Sequence, residues 1–338
     1  MTGRTIHLDG PPGRALLLTP IAWHYLAVTG SDASILMIPP YMKREFKASG
    51  LDRIFPHMAS KPLSFLDNAS IAPFSTEQSL WVRPDVIFSW DYLAWSFERV
   101  KFPGLIRISP DGGDKSRLFR VLGDAGGHSG RVTWLWARYQ EELDTFYSQL
   151  PEELEEKTLV ILANTGFTLW NGSTNPHFHK ILKKLKAVNA AEKKSFRSGK
   201  FNATALLNIE TLLQMDPEII YINPYALAFT YTSVADIYNN PKLQGLKAVK
   251  NRRVYHMPSG MARLEGPVEE PLLVMWLFQT LRPELAPHVD LRKKILEAFM
   301  VMYGYSISKE EIDAWLRLEE NSLSHGYARF YAHEVQRP

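Results

Sequence analysis

Short apolar runs punctuate the chain, and longer amphipathic stretches separate them. "RALLLTPIAWHYLAVTG" opens with an apolar run at residues 15–18, ended by Pro20. This predicts a strand, then a helix from Ile21 to Gly30. "SILMIPP" (residues 34–40), "RPDVIFSW", "GLIRIS" (104–109), "TLVILAN" (158–164), "EIIYINP" and "RRVYHMP" read as further strands. They alternate with helical segments, the layout of parallel βαβ units. After the glycine-rich "GDAGGHSG", Val132, Leu135, Trp136, Tyr139, Leu143, Phe146, Tyr147 and Leu150 recur at helical spacing. That predicts one helix of about 20 residues, roughly 30 Å long. "NPHFHKILKKL" places Asn175 as cap and Pro176 as first helical residue. Residues 265–331 read as mostly helical. The expected layout is an α/β half, a long helix and a second α/β half, with no Gly/Ser-rich tether.

One phrase occurs in both halves. "EQSLWVRPDVIF" (residues 77–88) and "ETLLQMDPEIIY" (210–221) each read Glu, six residues, Pro, an acid, then β-branched apolar residues. Ser75 and Asn208 are suitable N-caps, which puts Glu77 and Glu210 in the first turn of short helices. A carboxylate there is favoured by about 0.3–1 kcal/mol. Pro84 and Pro217 stop the helices. Each preceding residue is expected to leave the right-handed helical region and lead into a strand. Pattern alone leaves an old duplication and a matched use equally open.

Composition narrows the chemistry. The chain has 338 residues, 45% apolar and 22% charged, enough for about two domains. A net charge of +3 calls for no nucleic acid. Zero cysteines exclude disulfides, thiolate metal sites and a cysteine nucleophile. No apolar run approaches the ~18 residues that span a bilayer. The polar, Gly/Pro-rich start carries no secretion signal. "DGGDKS" lacks the P-loop spacing, and "GGHSG" is not a nucleophile elbow. The basic stretch 180–200 has little aromatic interleaving and reads as a solvated face. His177 and His179 are two apart at a helix start and point apart. His24, His57, His128 and His256 stand alone, although His24 or His256 could ligate a chelated iron axially. No catalytic constellation emerges, so the chain is not expected to be an enzyme.

At this point the sequence resembles a known family: the substrate-binding proteins of ABC importers with a long-helix backbone, which carry ferric siderophores, cobalamin and haem. The repeated phrase matches the family's once-per-lobe motif. "NPKLQGLKAVKNRRVYHMP" (239–258) and "ILKKLKAVNAA" (181–191) resemble two further family segments. The long helix falls where the family's interlobe helix falls. The resemblance covers roughly residues 14–320. "AVNAA" lacks the usual double glycine, and "GDAGGHSGRVTWLW" is a more aromatic, glycine-rich entry to the helix than usual.

The resemblance implies two Rossmann-like α/β lobes with mainly parallel sheets joined by one long α-helix. The N-terminal lobe is expected over 14–127, the helix over 128–150 and the C-terminal lobe over 151–330. It implies a monomer acting in the periplasm or as a cell-surface lipoprotein. Glu77 and Glu210 would dock on arginines of the ABC importer's transmembrane permease.

Ligands of open α/β sheets bind beyond the carboxyl ends of the strands. In two lobes those ends would line a cleft. The expected ligand-binding residues are Trp23, Tyr41, Met42, Trp90, Asp91, Trp170, Asn171, Tyr225, Met261 and Arg263. Ser89, Tyr92, Asn223, Phe229, Lys43 and Arg44 lie nearby in sequence. Among 9 Trp, 14 Tyr and 17 Phe, some would form flat walls suited to a large metal chelate. Arg263 would meet its carboxylates or catecholates. A ferric siderophore is the leading small-molecule candidate, with no covalently held cofactor. Haem, cobalamin and a bare metal ion are the alternatives. An α/β enzyme is the weaker one, because no G-x-G-x-x-G follows a strand.

Overall fold

The computed structural model describes residues 7–17, 21–37, 51–61, 80–90, 98, 101–108, 115–163, 168–170, 176–193, 204–206, 209–223, 233–258, 264, 269–285 and 289–331. These form a mixed α/β structure with strands in two sheets. The chain gathers into two compact units. The first contains Met1–Glu141, Met261–Val268 and Phe299–Tyr305, and the second the rest.

In the first unit β1 (Ala15–Leu17), β2 (Val86–Trp90) and β3 (Leu105–Ile108) pair in parallel, in that order. Ile35 adds a single parallel bridge to Ala15, where the sequence suggested a full strand. Leu16, Met37 and Ile87 form a small core. The helix Ile21–Thr29 is buried along its whole length, so its sequence shows no polar face.

A helix over Lys115–Gly126, absent from the sequence reading, precedes the long helix. Its glycines have a packing reason. A Cβ on Gly123 would lie 2.2 Å from Val132 Cγ2, so only glycine lets the next helix cross this closely. Gly127 then takes φ +75°, and the N–H of His128 donates to Gly123 O at 2.7 Å. This left-handed cap ends one helix, and the next begins at Ser129. The glycines of "GDAGGHSG" therefore serve a helix corner.

The long helix Ser129–Ser148 has the length that the sequence predicts. Val132, Leu135 and Tyr139 are buried in the first unit, Leu143 and Phe146 in the second. The boundary between the units falls inside this helix. It also falls inside a second helix, Leu291–Tyr303, so two helices pass from unit to unit. Within the first unit the Arg131 guanidinium donates to Val28 O (3.0 Å) and Met302 O. Within the second, Lys294 Nζ pairs with Glu142 at 2.8 Å.

The second unit's sheet runs β7 (Thr204–Leu206), β5 (Thr168–Trp170), β4 (Lys157–Ala163), β8 (Ile219–Ile222), β9 (Val254–His256), with β6 (Ala187–Asn189) also on β4. The pairs β4–β6, β4–β8 and β8–β9 are parallel. The pairs β4–β5 and β5–β7 are antiparallel, an edge that the sequence reading did not foresee. The helix Glu269–Leu281 is wholly buried. Trp276 sits among Tyr221, Tyr255 and Tyr327, and its Nε1–H donates to Tyr327 Oη at 3.0 Å. Much of the aromatic content is thus core. Among the described residues no helix is long and apolar enough to cross a membrane.

Candidate functional site

The repeated phrase folds into the same joint twice. In the first unit Arg83 N–H donates to Leu80 O at 2.9 Å, and Arg83 takes φ +47° before buried Pro84. Asp85 then exchanges bonds with Arg14. Its Oδ2 accepts the Arg14 N–H at 2.9 Å, and its own N–H donates to Arg14 O at 2.9 Å. Strand pairing starts at the next residues, Ala15 with Val86.

In the second unit Asp216 N–H donates to Leu212 O at 3.1 Å, and Asp216 takes φ +38° before buried Pro217. Glu218 Oε2 accepts the Thr158 N–H at 2.8 Å, and its N–H donates to Thr158 O at 3.1 Å. Pairing starts with Leu159 and Ile219. The pre-proline residues have left the right-handed region, as expected, and take the left-handed one. Proline bars the right-handed region, and the left-handed one lets their N–H groups still close the helix end.

Charge secures both joints. Arg14 donates to Arg83 O (2.9 Å) and Val82 O (2.6 Å), capping the helix end. Asp216 accepts the Lys247 N–H at 2.9 Å and pairs with Lys247 Nζ at 3.2 Å. The Lys247 backbone bond is the main cause that holds the Asp216 carboxyl below its usual range. Burial pushes Glu218 upward, but the Thr158 N–H and Lys157 outweigh it and leave its carboxyl lowered.

Glu210 lies in the first turn of the helix Ile209–Met215 and is exposed. Leu212 is buried beneath it, with Ile209 and Met215 against the core. Glu77, Ser75 and Asn208 lie outside the described residues. The sequence reading assigned no role to the acid after each proline, although its repetition was the available signal.

Tyr41, Met42, Asp91, Asn171, Tyr225, Met261 and Arg263 lie outside the described residues, as do Lys43, Arg44, Tyr92 and Phe229. Trp90 is the last residue of β2, paired with Ile108 at the end of β3. Trp170 ends β5, paired with Thr204. Because β5 runs antiparallel to β4 and pairs Thr168 with Ala163, Trp170 stands two residues back from β4's carboxyl end. Ser89 is fully buried in β2, and Asn223 follows β8 with its N–H on Leu162 O at 2.9 Å. Trp23 is 3% exposed, on the buried helix Ile21–Thr29.

Both histidines considered as axial ligands are committed to the protein. His24 is buried, its ring edge-on to Phe119 at 5.4 Å. His256 is fully buried, with Nδ1 3.1 Å from Met257 O and Nε2 3.7 Å from Glu320. In the helix Pro176–Lys184, Phe178 is buried and His179 exposed. Among the described residues no three His, Asp or Glu side chains group to hold a metal.

A family model described as "Periplasmic binding protein" matches residues 74–260, which includes both copies of the repeated phrase. No curated protein matches. A periplasmic solute-binding protein of Veillonella parvula is similar in structure at 24% identity, over 95% of this chain and 97% of that one, with TM-score 0.76. Helicobacter pylori CeuE, solved as a Ni-His complex, aligns over 93% of this chain and 96% of its own at 21% identity and TM-score 0.68. The periplasmic vitamin B12-binding protein BtuF of Vibrio cholerae aligns over 81% and 98% at 13% identity and TM-score 0.61. At these identities the structural likeness establishes the fold.

Proposed function

The chain belongs to the periplasmic binding protein family, and from that premise we propose that it captures a metal chelate, foremost a ferric siderophore, and hands it to an ABC importer permease. The family is one of solute-binding receptors, and membership brings an extracytoplasmic place of action. The finer reading concerns the ligand. The observation that carries it is the residue chemistry where strands end. Trp90 closes β2, and Asp91, Tyr92, Tyr225, Met261 and Arg263 follow strands in sequence. Flat rings with a guanidinium suit a large, partly apolar anionic complex. A simple oxyanion receptor would instead draw on Ser, Thr, Gly and helix N-termini. One structurally similar receptor was solved as a Ni-His complex and another is a vitamin B12-binding protein, which supports the class. Buried Trp23 would then back the site without touching the ligand.

The test is tryptophan fluorescence of the purified chain, titrated with ferric siderophores, haem, cobalamin and free metal ions. The expected outcome is saturable quenching by a ferric siderophore with Kd of about 1 μM or tighter. Quenching by free metal ions alone, or by none of the panel, would overturn the chelate reading.

A further inference from the structure

Among the described strands β9 stands at the end of the second unit's sheet, with β8 on its inner side. Its outer edge presents Arg252 O and the N–H and C=O groups of Val254 and His256. Each of these groups is held from outside, and none by another strand. Asn321 takes both groups of His256: Oδ1 accepts the N–H at 2.7 Å, and Nδ2–H donates to the O at 2.9 Å. Ser324 Oγ–H donates to Val254 O at 2.5 Å, and Tyr238 Oη accepts the Val254 N–H at 3.2 Å. The His325 N–H donates to Arg252 O at 2.7 Å. The cover thus comes mainly from residues 321–325, which form no strand. Buried aromatics fasten it. Tyr255 Oη donates to His325 O at 2.8 Å, and fully buried Tyr327 donates to Leu316 O and accepts the Trp276 Nε1–H.

We propose that Leu316–Phe330 is a strap, latched by Asn321 and Ser324, that keeps the β9 edge from pairing with the same edge of a second copy of this chain. A bare strand edge is a template for another strand. A carboxamide offers one donor and one acceptor side, as a peptide does. Asn321 therefore satisfies the edge as a neighbouring strand would, yet presents no further row of groups to extend. The edge itself is self-complementary. About a two-fold axis through Val254, antiparallel pairing would join each Val254 N–H to Val254 O of the other copy. Each His256 N–H would reach Arg252 O of the other copy. All the outward donors would then be met, so a second copy is the occupant that the released edge fits. The latch is polar and lies apart from the apolar packing of Tyr327 and Phe330, so it can be loosened while the core stays filled.

The test is amide hydrogen exchange and sedimentation velocity on the full chain and its Asn321→Leu/Ser324→Ala variant, each at about 1 μM and about 100 μM. In the wild type the Val254 and His256 amides should stay protected at both concentrations. In the variant at the lower concentration they should exchange about a hundredfold faster, while the Ile220 and Ile222 amides, inside the sheet, hold their wild-type rates. At the higher concentration their protection should return together with a doubled mass. Wild-type protection in the variant at low concentration would overturn the latch. Fast exchange with an unchanged mass at the higher concentration would overturn the pairing. If the double variant does not fold by circular dichroism, Asn321→Asp decides. It keeps the acceptor for the His256 N–H and loses the donor, so it should show the same changes at about a tenth of the size, and wild-type behaviour would sink the proposal.

Discussion

His256 is held from every side at the end of β9. Its N–H donates to Asn321 Oδ1 at 2.7 Å, and Asn321 Nδ2–H donates to His256 O at 2.9 Å. Burial, then the Arg317 charge, push its pKa from 6.5 down to about 4, against the pull of Glu320. The neutral ring is thus the one the fold accepts. Above pH 6.5 that stability is fully present. As pH falls toward 4 the unfolded chain takes up a proton that the folded chain refuses, and stability is lost. Between pH 7 and pH 5 the loss should be about 2 kcal/mol, a window above carboxylate titration. Urea unfolding across that range checks it, with His256→Gln expected to be less stable at pH 7 and to show a flatter pH profile. In sequence this histidine was indistinguishable from a candidate ligand. Its burial and its Asn321 partner, 65 residues away, exist only in the fold.

At the scale of elements, the helix–proline–acid–strand joint is the unit that both halves share. The acid after the proline bonds the residue just before the neighbouring strand's first paired residue, so it sets the register of the first parallel pair. Glu218→Ala should cost about 1–3 kcal/mol, because the Thr158 N–H loses a charged acceptor. Asp85→Ala should cost less, since its joint is exposed. Thermal and urea unfolding of the two variants measure both. Register needs setting here because parallel strands lack a hairpin turn to fix it. Strands β1, β2, β4, β8 and β9 were legible as mainly apolar runs, the mark of strands buried on both faces, and β3 as an apolar run broken by exposed Arg107. Strands β5 (Thr-Leu-Trp) and β7 (Thr-Ala-Leu) carry no apolar run to mark them. The helix Lys115–Gly126 was hidden by glycines, which read as loop punctuation until Val132 is seen packed on Gly123.

For the whole molecule, docking should separate cleanly from ligand capture. Glu210 stands exposed at a helix start, and its mate Glu77 occupies the matching place in the repeat. If both glutamates dock on the permease, as the family resemblance implies, Glu77→Ala and Glu210→Ala should each leave ligand affinity intact and lower uptake about tenfold or more, with the double variant lower still. Ligand titration and transport in proteoliposomes, run side by side, check this. Loss of ligand binding in either variant would remove the docking role.

The sequence alone determined the α/β class, the repeated joint and the long central helix, because hydrophobic period, proline and cap residues act locally. It also carried the family resemblance, through order and spacing. Only the tertiary structure decided that the post-proline acids bind the neighbouring strand, that His256 is walled in, and that the boundary of the units runs through two helices. Those outcomes depend on contacts between residues tens of positions apart, which no local pattern encodes.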